Sequence, residues 1–401
     1  MAEPHTPRNT ITTKLPWEIL FLQILPRLPV KALPNAMCVC KKWYLYLKSG
    51  AFASTYHHHV VSNDDHQNHH KYLVVSTTQR HMYSIDCETP KDGLVVARNL
   101  PFFLPFMGNM SILTSLHGLL CIGTIQPQNP GEYYDLILWN PLTGDYKMLS
   151  EPKKGCYHKE CYKISEGIFG LYYISSDDDY RLLRVTHHLN IYIYSLKSNS
   201  WRMVESTADF QQRASEWTSR GSYWEQPSHI LLNEKLNFLK QVDRGGTFIL
   251  SYSVMRFDTK TEKFTEISIP SFGNQMTNCL GFMVLGGRIH FCVAILIEEE
   301  NYMTNRRYYE IIELWRMDGD GYWTKVLTYG PMSFFLWGRS ILHWMRNGNL
   351  LIRHLDSVYL LDMKKHTKEM IFTCQSMDSK IPPTGKYVET TVSPNQRHVY
   401  V

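Results

Sequence analysis

A single hairpin is predicted by the stretch Leu136-Ile137-Leu138-Trp139-Asn140-Pro141-Leu142-Thr143-Gly144-Asp145-Tyr146, in which an apolar strand, a polar turn and a second strand follow one another. The same unit recurs at Ile191–Trp201 and at Val254–Phe264. In all three copies, seven positions separate the aromatic residue before the turn from the one after it. A constant separation predicts a hairpin with a turn of constant length.

Weaker copies of the unit begin at 312 and 358, and a degenerate copy lies at 81–86. The aromatic positions of successive copies lie 46 to 63 residues apart, which is about the length of one four-stranded propeller blade. We therefore expect an irregular β-propeller of five or six blades, since radial closure removes exposed sheet edges. Two packed β-sheets are the alternative. The strand-like residues 387–392 and 397–401 are expected to pair with the first blade near 72–76 and to close the ring.

A helical pattern precedes these strands. Pro16 suits the first turn of a helix, where its missing N–H costs nothing. Leu20, Ile24 and Leu28 follow at helical spacing until Pro29. Apolar residues four positions apart, at 33 and 37 and again at 43 and 47, extend the pattern to three short helices. So small a trio buries little apolar surface, so it needs a partner or the following domain, unless it is only a cap on that domain.

These helical segments resemble the F-box of plant F-box proteins, through the pattern L-P-x-E-I-L, then I-L-x-R-L-P-V-K-x-L, then C-V-C-K-x-W. The resemblance implies binding to a Skp1-type adaptor and, through it, to a cullin-RING ubiquitin ligase. Pro26 and Pro34 depart from the family pattern, and Pro26 is expected to end the first helix early. The implied adaptor-binding residues stand at the matching positions: Leu15, Pro16, Ile19, Leu20, Ile24, Leu25, Leu28, Pro29, Val30, Leu33, Val39, Cys40 and Trp43.

The strand-rich part resembles the F-box-associated interaction domain of the same plant proteins. Matching stretches, in the order of that family, include Ser115–Cys121, Leu138–Pro141, Asp177–Arg184, Asn233–Leu239 and Glu313–Trp315. The resemblance implies a kelch-like propeller that captures a target protein, and a substrate-recognition subunit of an SCF-type ubiquitin ligase that transfers no ubiquitin itself. The predicted fold class is α+β multidomain, with an N-terminal three-helix F-box followed by an all-β, kelch-like propeller.

The predicted domain order is a disordered leader over residues 1–12, the F-box over 13–50, a His-rich linker over 51–70 and the β domain over 71–401. The linker is assigned to a hydrophilic stretch that contains the run His57-His58-His59. Clustered histidines can bind a metal, but this stretch presents no cysteine or carboxylate partners at ligand spacing. No metal and no cofactor are therefore predicted.

The composition argues against several classes of partner. The formal net charge is only +5 over 401 residues, so neither nucleic acid nor a membrane surface is an expected partner. The most apolar run, 279–297, is interrupted by Gly286-Gly287 and Arg288, which predicts two strands around a turn rather than a membrane span. No signal-peptide core and no C-x-x-C pair are present, so we expect reduced thiols and a location in the cytoplasm, the nucleus or both.

No catalytic residue is predicted, because the sequence contains no G-x-S-x-G, no H-E-x-x-H and no P-loop. Asp177-Asp178-Asp179 lacks the spacing of an EF-hand and is expected to be a solvated turn. Two alternatives stay open, a propeller enzyme with a helical cap and an adaptor-binding module that sequesters proteins without ligase activity. Aromatic and arginine residues of long, non-repeating segments are the candidate target-binding residues: Trp217, Tyr223, Trp224, Tyr302, Arg306 and Arg307.

Overall fold

A computed structural model describes most of the chain. The described residues are 15–62, 71–76, 81–87, 89–90, 95–99, 109–125, 134–149, 168–186, 189–205, 210, 229–243, 250–299, 307–319, 321–332, 339–354, 357–365, 367–373 and 384–395. The predicted leader therefore lies outside the described residues.

Six four-stranded antiparallel sheets form in the described part of the chain. Blade 1 contains β1 (Lys71–Ser76), β2 (His81–Asp86), β3 (Val95–Asn99) and the last strand, β24 (Thr384–Tyr387). Blade 2 contains β4 (Asn109–Leu116), β5 (Leu119–Ile125), β6 (Tyr134–Trp139) and β7 (Tyr146–Leu149). Blade 3 contains β8 (Ile168–Ile174), β9 (Asp179–Val185), β10 (Ile191–Ser195) and β11 (Ser200–Val204).

The remaining three sheets follow in chain order. Blade 4 contains β12 (His229–Leu232), β13 (Lys235–Asp243), β14 (Leu250–Asp258) and β15 (Phe264–Ser268). Blade 5 contains β16 (Thr277–Leu285), β17 (Arg288–Glu299), β18 (Arg307–Asp318) and β19 (Tyr322–Met332). Blade 6 contains β20 (Arg339–Trp344), β21 (Leu350–His354), β22 (Ser357–Asp362) and β23 (Thr367–Thr373).

The sheets are arranged radially. Strand β4 lies against both β8 and β24, and β16 lies against β12 and β20. Each of these is the innermost strand of its blade, so the inner strands of neighbouring blades surround a common axis. Apolar side chains fill the spaces between blades, as where Leu138 of blade 2 shares a core cluster with Leu182 of blade 3. The predicted propeller is confirmed, and the alternative of two packed sheets is wrong.

The hairpins predicted from the repeat form with the expected register. Facing rings lie 5.2 Å apart in blade 3 and 4.9 Å apart in blade 4, between centroids. In blade 5, Trp323 faces Met317 rather than Trp315, because the turn is closed by the pair Asp318 and Tyr322 and the register runs unbroken from there to Trp315. The aromatic pairs that lie directly opposite each other are Trp139 with Tyr146, Tyr194 with Trp201, and Phe257 with Phe264.

A polar side chain holds the turn after the third strand of the blades. Asp258 Oδ1 accepts hydrogen bonds from the N–H groups of Lys260 and Thr261, both at 2.9 Å. Asp362 Oδ1 accepts the equivalent pair of bonds in blade 6, both at 3.0 Å. Asn140 does the same in blade 2, at 2.8 and 3.4 Å. These side-chain-stabilised turns explain why the repeat keeps its length.

The ring closes through its two ends. Strand β24 pairs antiparallel with β1, with Tyr387 opposite Lys71 and Thr384 opposite Val74. The predicted pairing with the first blade is confirmed, but the position of the strand differs, because β24 ends at Tyr387 and residues 388–392 leave the sheet. Residues 397–401 lie outside the described residues.

Short helices precede the propeller, and residues 15–62 are called the helical module. It contains a π-helix (Ile19–Ile24), two 3-10 turns (Leu25–Arg27 and Val30–Ala32), α1 (Leu33–Met37), α2 (Lys41–Leu47) and α3 (Gly50–Ser62). The prediction of N-terminal helices is confirmed, although they form more segments than three. Pro26 lies in the 3-10 turn that follows the first helix, which ends at Ile24.

The predicted linker over 51–70 is wrong for residues 51–62, which belong to α3. Phe52, Ala53 and Tyr56 recur on one side of this helix and are buried. Phe52 and Tyr56 join the core of the helical module, together with Phe21 and Leu47. Burial of these side chains stabilises the helix. The run of histidines in the same segment had indicated a hydrophilic linker instead.

Candidate protein-binding surface

The two ends of the propeller carry different structures. Because antiparallel strands alternate in direction, the turns after the first and third strands of each blade lie at one end. The helical module packs there: Lys48 Nζ lies 2.9 Å from Asp145 Oδ2, in the turn after β6, and the Ala51 N–H donates to Asp178 Oδ1, in the turn after β8, at 3.2 Å. We call this the helical end. The opposite end, where the blade-to-blade connections begin, is the loop end.

Residues 388–395, here called the strap, run from β24 across blade 2. The side-chain amide of Asn140 donates to the carbonyls of Thr390 and Val392, at 2.9 and 2.6 Å. Gly118 (φ +83°) lies beneath the strap, and a Cβ there would come within 2.5 Å of Thr390 Oγ1. Thr390 and Val392 are both fully buried. The strap is therefore part of the packed structure of blade 2.

The same strap binds the helical module. Thr391 Oγ1 donates a hydrogen bond to the Leu47 carbonyl, and the Ser393 N–H donates to the Lys48 carbonyl at 3.4 Å. Ala53 on α3 is fully buried in the core cluster of blades 2 and 3. The module is thus fixed to the propeller by polar contacts and by shared apolar core.

The helical module exposes several large apolar side chains. Their exposed fractions reach 52% for Leu15, 57% for Trp17, 53% for Leu22 and 61% for Val39. Exposed apolar side chains in this number make the module a candidate surface for binding another protein. We call this set the apolar face, and it consists of Leu15, Trp17, Ile19, Leu22, Ile24, Val39 and Tyr44.

The predicted adaptor-binding residues divide by burial. Leu25 and Leu33 are fully buried in the core of the module, so they support its fold rather than its surface. Partly buried positions are Leu20, Leu28, Val30 and Trp43, and exposed positions are Leu15, Pro16, Ile19, Ile24, Pro29, Val39 and Cys40. Trp17, Leu22 and Tyr44 are exposed members of the apolar face that the sequence pattern missed.

At the propeller axis, inner strands of three blades are bonded together. Thr114 Oγ1 on β4 lies 2.7 Å from His229 Nε2 on β12, and the Leu171 N–H on β8 donates to the same oxygen at 3.0 Å. Among the residues that the structure describes, no group of three or more His, Cys, Asp or Glu side chains could hold a metal ion.

A polar cavity of about 390 Å³ opens beside β9, β10 and β11. Asp179 in its wall is almost fully buried. Its carboxylate accepts hydrogen bonds from Ser195 Oγ at 2.8 Å, the Lys197 N–H at 2.9 Å and Arg181 Nε at 3.1 Å. The expectation of a solvated turn is therefore wrong for Asp179. This buried carboxylate joins the start of β9 to the end of β10 and the turn that follows it by hydrogen bonds.

A family model for the F-box associated beta propeller domain matches residues 72–398. The chain belongs to this family. Among its relatives in Arabidopsis thaliana, the F-box/kelch-repeat protein At3g23880 is 25% identical over 98% of this chain and 98% of its own length. The F-box/LRR-repeat/kelch-repeat protein At2g27520 is 23% identical over 73% of this chain and 68% of its own length. The F-box protein At3g16210 is 21% identical over 65% of this chain. The match covers 62% of that relative's own length, which is less than two thirds.

The chain is thus a plant F-box protein with an F-box associated propeller. In the described part of this F-box protein, no helix is long and apolar enough to cross a bilayer.

The candidate target-binding residues of this F-box protein stand, in the sequence, in or next to two segments that connect strands. One joins β11 of blade 3 to β12 of blade 4, and the other joins β17 to β18 within blade 5. Arg307 is the first residue of β18 and lies opposite Glu299. The other candidates fall outside the described residues: Trp217, Tyr223, Trp224, Tyr302 and Arg306.

A buried histidine at the helical end makes folding of the F-box protein sensitive to pH. His117 Nδ1 lies 3.0 Å from the Tyr180 hydroxyl, and its ring centroid lies 5.0 Å from that of His57 on α3. Burial, and secondarily His57, holds the pKa of His117 well below its ordinary 6.5. The unfolded chain therefore binds more protons below pH 6.5, so stability is greatest above that pH and falls as the pH drops towards the folded-state pKa.

We expect a lower urea midpoint at pH 5.5 than at pH 7.5, and a smaller difference between the two in His117→Asn. His58→Asn, at an exposed position on α3, is the matched control and should keep the full difference. Equal midpoints for the wild type at both pH values would contradict the prediction.

Proposed function

We propose that this chain is the substrate-recognition subunit of an SCF-type ubiquitin ligase. In this proposal the apolar face binds a Skp1-type adaptor, and the loop end of the propeller captures the protein to be ubiquitinated. The observation that carries the proposal is the apolar face, exposed on a module that is fixed at the helical end of the propeller, opposite the end at which the blade-to-blade connections begin. Membership of the F-box associated propeller family supports the same assignment.

Such a subunit transfers no ubiquitin itself. It accelerates modification by holding a target near a ubiquitin-charged conjugating enzyme, which raises the effective concentration of the target's lysines. The packing of the module against blades 2 and 3 suits this role, because it keeps the adaptor and the target at a fixed separation. We place this activity in the cytoplasm, the nucleus or both.

Replacing two members of the apolar face should abolish adaptor binding. Ile24 and Val39 are 40% and 61% exposed, so Ile24→Asp with Val39→Asp should leave the fold intact. Since the two side chains together expose about one side chain's worth of surface, the apolar burial lost is about 1.5–3 kcal/mol, and burying two unpaired carboxylates adds a desolvation cost. Binding should therefore weaken about 100-fold or more. The measurement is affinity for a purified Skp1-type adaptor of Arabidopsis thaliana, with co-purification of cullin from plant cells as the second readout.

The matched control is Val326→Asp with Met370→Asp, since these side chains are 48% and 57% exposed on the outer strands of blades 5 and 6. It introduces the same charge at similar exposure and should bind the adaptor as the wild type does. Undiminished binding by the Ile24→Asp, Val39→Asp variant would refute the assignment. Ubiquitin transfer in the reconstituted complex then separates a ligase subunit from a sequestering module.

A further inference from the structure

The strand register places a row of polar side chains on one face of blade 3. Tyr172 on β8 lies opposite Arg181 on β9. Ser195 on β10 and Ser200 on β11 continue the row. Residues directly opposite one another in an antiparallel sheet project from the same face. The ring centroid of Tyr172 lies 6.3 Å from that of Phe257 in blade 4, so the row faces the space between blades 3 and 4.

The polar cavity of about 390 Å³ opens at the helical end of this row. Asp177 in the turn after β8 and Lys197 in the turn after β10 both line it. Its volume falls within the range of small-molecule sites, about 300–1,000 Å³. Among the described residues that line it, only Ile193 is apolar, so the cavity suits a polar ligand.

Both carboxylates of the cavity already accept hydrogen bonds. Asp177 accepts one bond at each oxygen, from Arg181 Nη2 at 2.8 Å and from Ser176 Oγ at 3.3 Å. The two oxygens of Asp179 accept the three bonds described above. A bound cation would therefore have to displace these donors.

Most donors on the basic side chains of the cavity have no acceptor among the described residues. A guanidinium carries five N–H donors and an ammonium group carries three. Arg181 uses two, both towards carboxylates of the cavity, and Arg202 uses one, towards Glu262 of blade 4. Lys197 Nζ uses one, towards the Asp177 carbonyl at 2.8 Å. Since three carboxylates balance the three cations, the ligand preference of the cavity rests on unused donors rather than on net charge.

The Tyr172 hydroxyl is a further unused donor, at the inner wall of the cavity. The side chain is fully buried, and the hydroxyl has no hydrogen-bond partner within the described part of the chain. Burial raises the pKa of Tyr172 above its ordinary 10, and Glu262 adds to this, whereas Arg181 and Arg202 act in the opposite direction. The hydroxyl therefore lies near both guanidinium groups, and a bound acceptor would remove the cost of leaving it unsatisfied.

We propose that this cavity binds a small organic anion through a carboxylate or phosphate group. Such a group presents acceptors only, which matches the unused N–H and O–H donors, and its oxygens suit the forked donors of Arg181 and Arg202. Tyr172 donates to the anion from the inner wall. A ligand without acceptors would leave these donors desolvated and unpaired. The cavity is separate from the apolar face and the loop end, so the inference does not rest on the proposed function.

Isothermal titration of the full chain tests the proposal. The probes are glucose 6-phosphate and citrate, and glucose is the neutral control. Both anions should bind in competition with each other, and glucose should not bind. Arg202→Gln, at a half-exposed side chain, should weaken binding of both anions about 10- to 100-fold, because charged hydrogen-bond donors are lost.

Two further variants separate binding from structural support. Tyr172→Phe should weaken binding of both anions about 10-fold. Without ligand it should melt no lower than the wild type, since its hydroxyl has no partner to lose in the described structure. Glu262→Gln should tighten binding by up to about 5-fold, because Glu262 competes with the ligand for Arg202.

The matched control is Arg288→Gln. It removes an exposed arginine that pairs with Asp318 in blade 5, and it should bind both anions as the wild type does.

Four results would overturn the proposal. One is the absence of binding of either anion to the wild type at about 10 mM. Another is binding that Arg202→Gln and Tyr172→Phe leave unchanged, which would place the anion elsewhere. Equal binding of glucose and glucose 6-phosphate would show that the anionic group is not recognised. Tighter binding of a phosphoserine peptide than of glucose 6-phosphate would show that the cavity takes a modified protein side chain rather than a small molecule.

Discussion

A chain that ends at residue 383 should fail to form a stable propeller. It lacks β24, so β1 loses its inner neighbour and its backbone becomes an exposed sheet edge. It also lacks the buried side chains Val388 and Val392, whose burial contributes about 3–6 kcal/mol. That loss is comparable with the total stability of many domains, about 5–15 kcal/mol. Soluble yield, circular dichroism and thermal unfolding measure the effect.

Two longer chains separate the strand from the strap. A chain that ends at Tyr387 keeps β24 but loses the strap, so the propeller should persist while α2 and α3 become less protected in hydrogen exchange. A chain that ends at Asn395 keeps every described contact of the strap and is the matched control for the chain that ends at Tyr387. A chain ending at 383 with the melting temperature of the full chain would show that the ring does not need β24.

The β domain was predictable because its local signals repeat. An apolar strand, an aromatic and a polar turn recur often enough to reveal the hairpins, and the spacing between copies reveals the blades. The sequence also indicated that the chain's last strand meets its first blade. The error in its position arises because strap residues such as Val388 and Val392 have the apolar, β-branched character of strand residues but are buried without pairing in a sheet.

The candidate surface was less predictable, because exposure depends on tertiary packing. Leu25 and Leu33 match the family pattern, yet they are buried in the core of the module. Trp17 and Leu22 lie outside that pattern and are exposed. Helical periodicity does not say which side of a short, irregular helix faces the propeller. The attachment of α3 was missed for a related reason, since Phe52 and Tyr56 stand beside a run of histidines that is typical of a solvated segment.

Asn140→Asp should destabilise the chain by several kcal/mol. The position holds its turn through Oδ1, and an aspartate would preserve those bonds, as Asp258 and Asp362 do in blades 4 and 6. The side-chain amide is what differs, because it donates to two carbonyls of the strap, those of Thr390 and Val392. A carboxylate would leave both carbonyls without a donor, at about 1–3 kcal/mol each, and would place negative charge against them in a buried site.

Asp258→Asn is the reciprocal control. It makes the opposite change at the equivalent turn position, where the described hydrogen bonds of the side chain are with its own turn, so it should alter the free energy of unfolding by less than about 1 kcal/mol. Urea unfolding of the two variants and the wild type makes the comparison. Similar losses in both would mean that the turn matters and the strap does not. A large loss in Asn140→Asp alone, with reduced hydrogen-exchange protection of α2 and α3, would mean that one amide in blade 2 helps to hold the helical module in place.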